Sequence, residues 1–281
     1  MKKRHFYICL AFGLATVWQG CGPKTGQGGN ENDTDTLKTS VVQRYLEDST
    51  GAYAINVAFP DVKTTDCVAM NEWVSEQLGG TYGDSANADY ARLLADTTAL
   101  VDYYFGKVLD SNRQDFAEIR KNNPDMEMEI KFLDSLTIRK FGEGIAWVTF
   151  SCNHEVYSGG AHGSSLFFGQ TFRKSDGRRI GWDVFTNIVN DGFQQLLKAG
   201  LMEYWQLEDE AKLADYLMDA ASIYYIPLPQ CPPLFTEDGV CFVYNQYEIA
   251  AYAAGLPTFT VGYDKLRPFM MTVAKRLIAE K

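Results

Sequence analysis

Between residues 110 and 130 the apolar residues of this chain change their period from that of a helix to that of a strand, so any fold it adopts must pack helices on a sheet. Upstream, Tyr90 to Asp110 carries Leu93, Leu94, Leu100, Val101, Tyr104 and Val108 at helical spacing. Cys67 to Leu78 does the same, with Gly79-Gly80 expected to stop it. An earlier run, Ala52 to Phe59, reads as a strand ended by Pro60. Downstream, Met126 to Phe141 and Ile145 to Tyr157 alternate with period two about Gly142-Glu143-Gly144, which predicts a hairpin. Leu166 to Arg173 gives a further strand before the Ser175-Asp176-Gly177 turn. Helical spacing returns through Phe193, Leu196, Leu197, Leu201 and Trp205, with a short helix around Ala211 to Met218. A proline-rich passage then leads to strands at Leu234 to Thr236 and Val240 to Tyr244, and Pro268 opens a closing helix that buries Val273, Leu277 and Ile278. Strands and helices segregated in this way predict an α+β fold. Its largely antiparallel sheet is packed with helices, and its two intimately joined lobes are 41–144 and 145–281.

The N-terminus restricts where such a fold can work. Lys2, Lys3 and Arg4 precede an uncharged, mostly apolar run from Phe6 to Trp18, and Gly20-Cys21 follows. That run is too short for the roughly 20 apolar residues of a membrane span, and it reads instead as a lipoprotein signal peptide over 1–20. Lipidation of Cys21 then anchors the mature chain to a membrane of the bacterial cell envelope, on a periplasmic or cell-surface face. Residues 21–40, rich in Gly, Asn, Asp and Thr, read as a flexible spacer.

Loss of the signal leaves 23 basic residues against 36 acidic ones, a charge of −13. Nucleic acid is thereby excluded as a partner, because a phosphate backbone asks for clustered Lys and Arg. The acidic balance suits a cationic partner, or serves solubility alone. Among the cysteines, Cys231 and Cys241 flank a hairpin around Glu237-Asp238-Gly239 and are the candidate disulfide of an oxidising compartment, provided Pro232-Pro233 bulges the strand. Whether Cys67 and Cys152 pair is left open.

Chemistry is sparse. Outside the signal the histidines are His154 and His162. Alternation puts His154 on the apolar face with Val148, Phe150, Cys152 and Val156, as a satisfied core histidine. His162 lies in Tyr157-Ser158-Gly159-Gly160-Ala161-His162-Gly163, where the glycines serve either a tight strand connection or a binding loop. Ser164 has no GxSxG elbow around it, and His154, His162, Glu155 and Asp183 show no HExxH spacing. No catalytic residue, metal or cofactor is assigned.

The run Tyr157 to Gly163, followed by Phe172, Asp176-Gly177 and Trp182-Asp183-Val184-Phe185, resembles the exported C-terminal domain of RsiV-type anti-sigma factors. A second block agrees with it: Phe235-Thr236-Glu237-Asp238-Gly239-Val240, Tyr247 to Gly255, and Val261-Gly262-Tyr263-Asp264-Lys265-Leu266. The preceding region is more loosely similar to a domain that also accompanies a peptidoglycan deacetylase. The resemblance implies an α+β fold and, in that family, binding of lysozyme by the exported part. With the acidic charge it leads to the expectation of a non-catalytic binding domain for a lysozyme-like cationic protein or cell-wall glycan, with Tyr157, Ser158, Gly159, Gly160, His162 and Gly163 as motif positions for binding. The alternative is a cell-wall glycan hydrolase or deacetylase-like enzyme using His162 and nearby acids.

Overall fold

The computed structural model describes residues 36–61, 65–82, 96–124 and 130–279. The expected signal peptide and Cys21 lie outside these, as do residues 90–95 of the expected second helix and 126–129 of the expected second strand. A six-stranded sheet runs in sequence order through β1 (Thr39–Glu47), β2 (Gly51–Pro60), β3 (Phe132–Glu143), β4 (Trp147–Tyr157), β5 (Ser164–Arg173) and β6 (Arg179–Ile180). All its pairs are antiparallel except β2–β3. A parallel pair needs a long crossover. Among the described residues of this crossover are two helices, α1 (Thr65–Tyr82) and α2 (Thr97–Asn122), the second capped by Asp96, whose carboxylate accepts from the Thr98 and Ala99 amides.

The period-two strands sort their side chains onto two faces. Tyr53, Ile55 and Val57 of β2, Phe132, Leu136 and Ile138 of β3, Val148, Phe150 and Cys152 of β4, and Phe172 of β5 point to one side. There they meet Met70, Trp73, Val74 and Leu78 of α1 and Leu100, Val101, Tyr104 and Val108 of α2, apolar stripes at three- and four-residue spacing. That burial carries α1 through Gly79-Gly80 to Tyr82, past the stop expected there, although each glycine costs about 1 kcal/mol in a helix.

The opposite face of β4 and β5 carries the second lobe. It comprises α3 (Asp191–Tyr204), the short α4 (Leu213–Tyr216), a three-stranded sheet of β7 (Leu234–Phe235), β8 (Val240–Val243) and β9 (Thr258–Val261), then α5 (Tyr263–Leu266) and α6 (Thr272–Leu277). Two buried threonines join the sheets. Thr149 donates to the Phe235 carbonyl at 2.8 Å and the Phe235 amide donates to Thr171 at 3.0 Å, so the backbone of β7 is satisfied by side chains of its neighbour sheet. Because β3 and β4 pair along most of their length, the boundary expected after Gly144 falls inside a tight turn. The lobes share one sheet.

The α+β class and largely antiparallel sheet are those the sequence leads one to expect. Two further expectations need correction. The spacer expected to reach Ser40 ends sooner, since the Leu37 amide donates to Glu143 at 2.7 Å, its carbonyl accepts from Lys140 at 2.9 Å, and β1 begins at Thr39. Cys231 and Cys241 do not form a disulfide. The β7–β8 register sets Leu234, not Cys231, opposite Cys241, and both sulfurs are buried in the small cluster under β7. Burial pushes the Cys231 thiol up to about 12 against a hydrogen bond with the Gly169 backbone. Among the described residues no helix is long and apolar enough to cross a membrane.

Candidate functional site

The loop after β4 is built by its glycines. Gly159 and Gly160 both hold φ near +95°, a region costly to other residues, and turn the chain out of the sheet. Gly163 has an ordinary φ but brings the returning chain so close that a Cβ there would lie 3.0 Å from the Val156 carbonyl. The Tyr157 hydroxyl ties down the turn by donating to the Gly160 carbonyl at 3.2 Å. Ser158 and His162 are exposed. His162 donates through Nδ1 to the carbonyl of Gly163 at 2.9 Å, which fixes the tautomer because a carbonyl only accepts. Its ring lies stacked on Tyr252, with centroids 3.7 Å apart and planes 19° from parallel.

Tyr252 comes from the second of the two sequence blocks, and side-chain amides bring that block here. Among the described residues the leading half of β5 has no strand on its outer edge, β6 pairing only with Thr171 and Phe172. Asn245 takes the place of a strand: its Oδ1 accepts from the Phe167 amide at 2.7 Å and its Nδ2 donates to the Phe167 carbonyl at 3.0 Å. Gln246 accepts from the Ser165 amide at 3.1 Å. Glu248 closes the turn by accepting from the amides of Asn245 and Gln230. Held by these bonds, Tyr247 sits at φ +63°, where a bulky L-residue is strained by about 1–3 kcal/mol, and its ring is 53% exposed, 6.0 Å from that of Tyr252.

A third segment flanks these rings. Leu217 bridges to Ala250, and the Met218 amide donates to the Ile249 carbonyl at 2.9 Å. Trp205 donates to the Ala254 carbonyl and stacks on Tyr216 at 4.9 Å. Tyr216 and Met218 are exposed. Between residues 203 and 219 there are six acidic side chains (Glu203, Glu208, Asp209, Glu210, Asp215, Asp219) and one basic, Lys212. Exposed aromatic and thioether side chains thus stand on neighbouring segments, one of them rich in acidic residues.

Residues 234–264 match the family model described as "Protein of unknown function (DUF3298)". A crystal structure of a DUF3298 family member from Bacteroides fragilis superposes with TM-score 0.64 at 19% identity, over 88% of this chain and 99% of that one. A DUF3298 family protein from Pseudomonas aeruginosa superposes at 0.54 with 12% identity, over 85% of this chain and 96% of that one. At such identities the likeness speaks to fold alone. No curated protein matches the chain. The DUF3298 match begins at β7 and ends in α5, and so contains Asn245, Tyr247 and Tyr252. The loop bearing His162 lies outside the matched residues and reaches Tyr252 through the fold.

The other expected positions separate. His154 faces the helices, as its strand parity requires, and its Nε2 is 2.8 Å from Asp134 Oδ1, while Asp134 Oδ2 accepts from Asn112 at 3.1 Å. This is the satisfied core histidine. Glu155 lies on the reverse face with Asn153, and Asp183 pairs with Arg178. Among the described residues no three His, Cys, Asp or Glu side chains gather to hold a metal. Nothing in the local sequence pattern marks Met218, Tyr216 or the amides of Asn245 and Gln246. Tyr247 and Tyr252 were legible as part of the second block, though not as ring partners of His162.

Proposed function

We propose that this chain is a non-catalytic binding module of the cell envelope, anchored through Cys21, whose ligand is a cationic protein of the lysozyme kind. The reading rests on one observation: the two separated sequence blocks converge, so that His162, Tyr247 and Tyr252 form one accessible group of rings beside the acidic 203–219 segment. Exposed tyrosine and methionine are enriched at protein-binding surfaces, and the strain at Tyr247, held by the Asn245 and Glu248 bonds, is of the kind that collects at ligand sites. Complementary charge adds encounter rate and salt dependence.

The test is a calorimetric titration of the protein, released from its anchor by Cys21→Ser, with a lysozyme at low and at moderate salt. A complex that weakens as salt rises supports the proposal, whereas absence of a complex at both ionic strengths overturns it. Turnover of peptidoglycan by the protein that His162→Ala abolishes would favour the glycan-cleaving alternative.

A further inference from the structure

On the side of the second lobe where α6 meets the β5–β6 turn, a groove of about 520 Å3 is lined by Ile145, Ala146, Val273 and Leu277 together with Arg173, Lys174, Ser175 and Arg276. No acidic residue lines it, in a chain whose net charge is −10. Two of the cations are partly committed. Arg173 is bonded to Asp176, and Lys174 reaches Glu143 at 2.6 Å, a carboxylate it shares with Lys140 at 2.5 Å. Burial acts to raise Glu143, but the Leu37 amide, Lys140 and Lys174 outweigh it and hold the group below its ordinary value, so it remains ionised. Arg276, exposed in the last turn of α6, has no ion-pair partner among the described residues. The three cations of the lining therefore stand against two carboxylates, one of them shared with Lys140, and the excess is positive.

The other side chains of the lining are apolar apart from Ser175. Ile145 is half exposed, and the Lys174 amide is already spent on the Ala146 carbonyl at 2.9 Å, so this backbone pair is not open to a peptide. A cationic flank beside apolar side chains suits one kind of occupant, an apolar chain that asks for no hydrogen bonds along its length and ends in an anion. We propose that this groove binds a medium-chain fatty carboxylate, its tail over Ile145, Val273 and Leu277 and its headgroup against Arg276, with Lys174 and Arg173 adding field. The site is separate from the His162–Tyr252 surface and does not depend on the function proposed for it.

The experiment is calorimetric titration of the protein with decanoate below its micelle concentration, beside decanol and acetate. Decanoate is expected to bind with one site, and acetate and decanol at least ten-fold more weakly. Arg276→Gln should weaken decanoate ten-fold or more and Ile145→Glu likewise, while His162→Ala leaves it unchanged. Both substituted positions are exposed, so the variants should fold, as near-unchanged melting would verify. Equal binding of decanol and decanoate, indifference to Arg276→Gln, or no binding of decanoate would each overturn the proposal; loss on His162→Ala would relocate the ligand to the aromatic surface.

Discussion

Asn245 is the residue on which the candidate site turns, and its removal is the sharpest structural perturbation. The side chain supplies both halves of a β-bridge to Phe167, accepting at 2.7 Å and donating at 3.0 Å, and Phe167 is itself 2% exposed. In Asn245→Ala the Phe167 amide and carbonyl lose these partners behind a side chain that excludes water. Each buried polar group left unmade costs about 1–3 kcal/mol. Partial access of water at the strand edge lowers the sum, and a total of about 2–4 kcal/mol is expected. For a domain of this size 1 kcal/mol corresponds to about 2–4 °C, so melting should fall by roughly 4–16 °C. Asn245→Leu, which keeps the volume but not the bonds, should fall as far, because the cost is polar. Circular dichroism melts at matched pH and salt read both. A shift under about 2 °C in either variant would refute the claim that side-chain amides substitute for the missing strand.

Other outcomes follow from the same geometry. Gly200→Ala would set a Cβ 2.0 Å from the Phe259 ring, where α3 crosses β9, and an overpacking cost of about 1–3 kcal/mol should appear in denaturant midpoints; an unchanged midpoint would contradict the packing described. Asp48, lowered from 3.8 to about 2 by the Thr50 hydroxyl first and Arg113 next, is depressed on folding, so its contribution is whole above about pH 4 and fades as pH falls toward 2. Solvent screening limits that contribution to about 1 kcal/mol, and acid titration of stability should flatten in this window for Asp48→Asn. Cys21→Ser is expected to move the protein from the membrane to the soluble fraction, and retention after a salt wash would contradict acyl anchoring.

The parts of the fold legible in the sequence are those where one face is buried and the other is not. β3, β4 and β5 announce themselves because Leu136, Ile138, Val148, Phe150 and Phe172 alternate with polar residues, and His154 is placed by parity alone. β1 was hidden because an edge strand half in solvent reads Thr, Ser, Gln and Arg among its apolar residues, with Val41 and Tyr45 pointing outward. The glycines of the His162 loop were legible as turn residues, and Gly159 and Gly160 do take positive φ. The contact of His162 with Tyr252 was not legible, because it depends on a lobe docking onto a sheet face ninety residues away in sequence. Nor does any local pattern reveal that Asn245 would mimic a strand. The disulfide expectation failed for a related reason: spacing about a hairpin does not fix register, and β7 pairs Leu234 with Cys241.

Tyr247 allows binding to be separated from stability in one substitution. Its φ of +63° suits glycine, so Tyr247→Gly removes an exposed ring and a strained conformation together. Calorimetric titration of this variant with a lysozyme at low salt, with a melt recorded on the same preparation, is the most direct test of the proposed binding surface. Affinity reduced about 30-fold or more, the loss of a 2 kcal/mol anchor, with melting unchanged or raised, is the expected result. Affinity equal to that of the unaltered protein would contradict the assignment of this surface as the binding site.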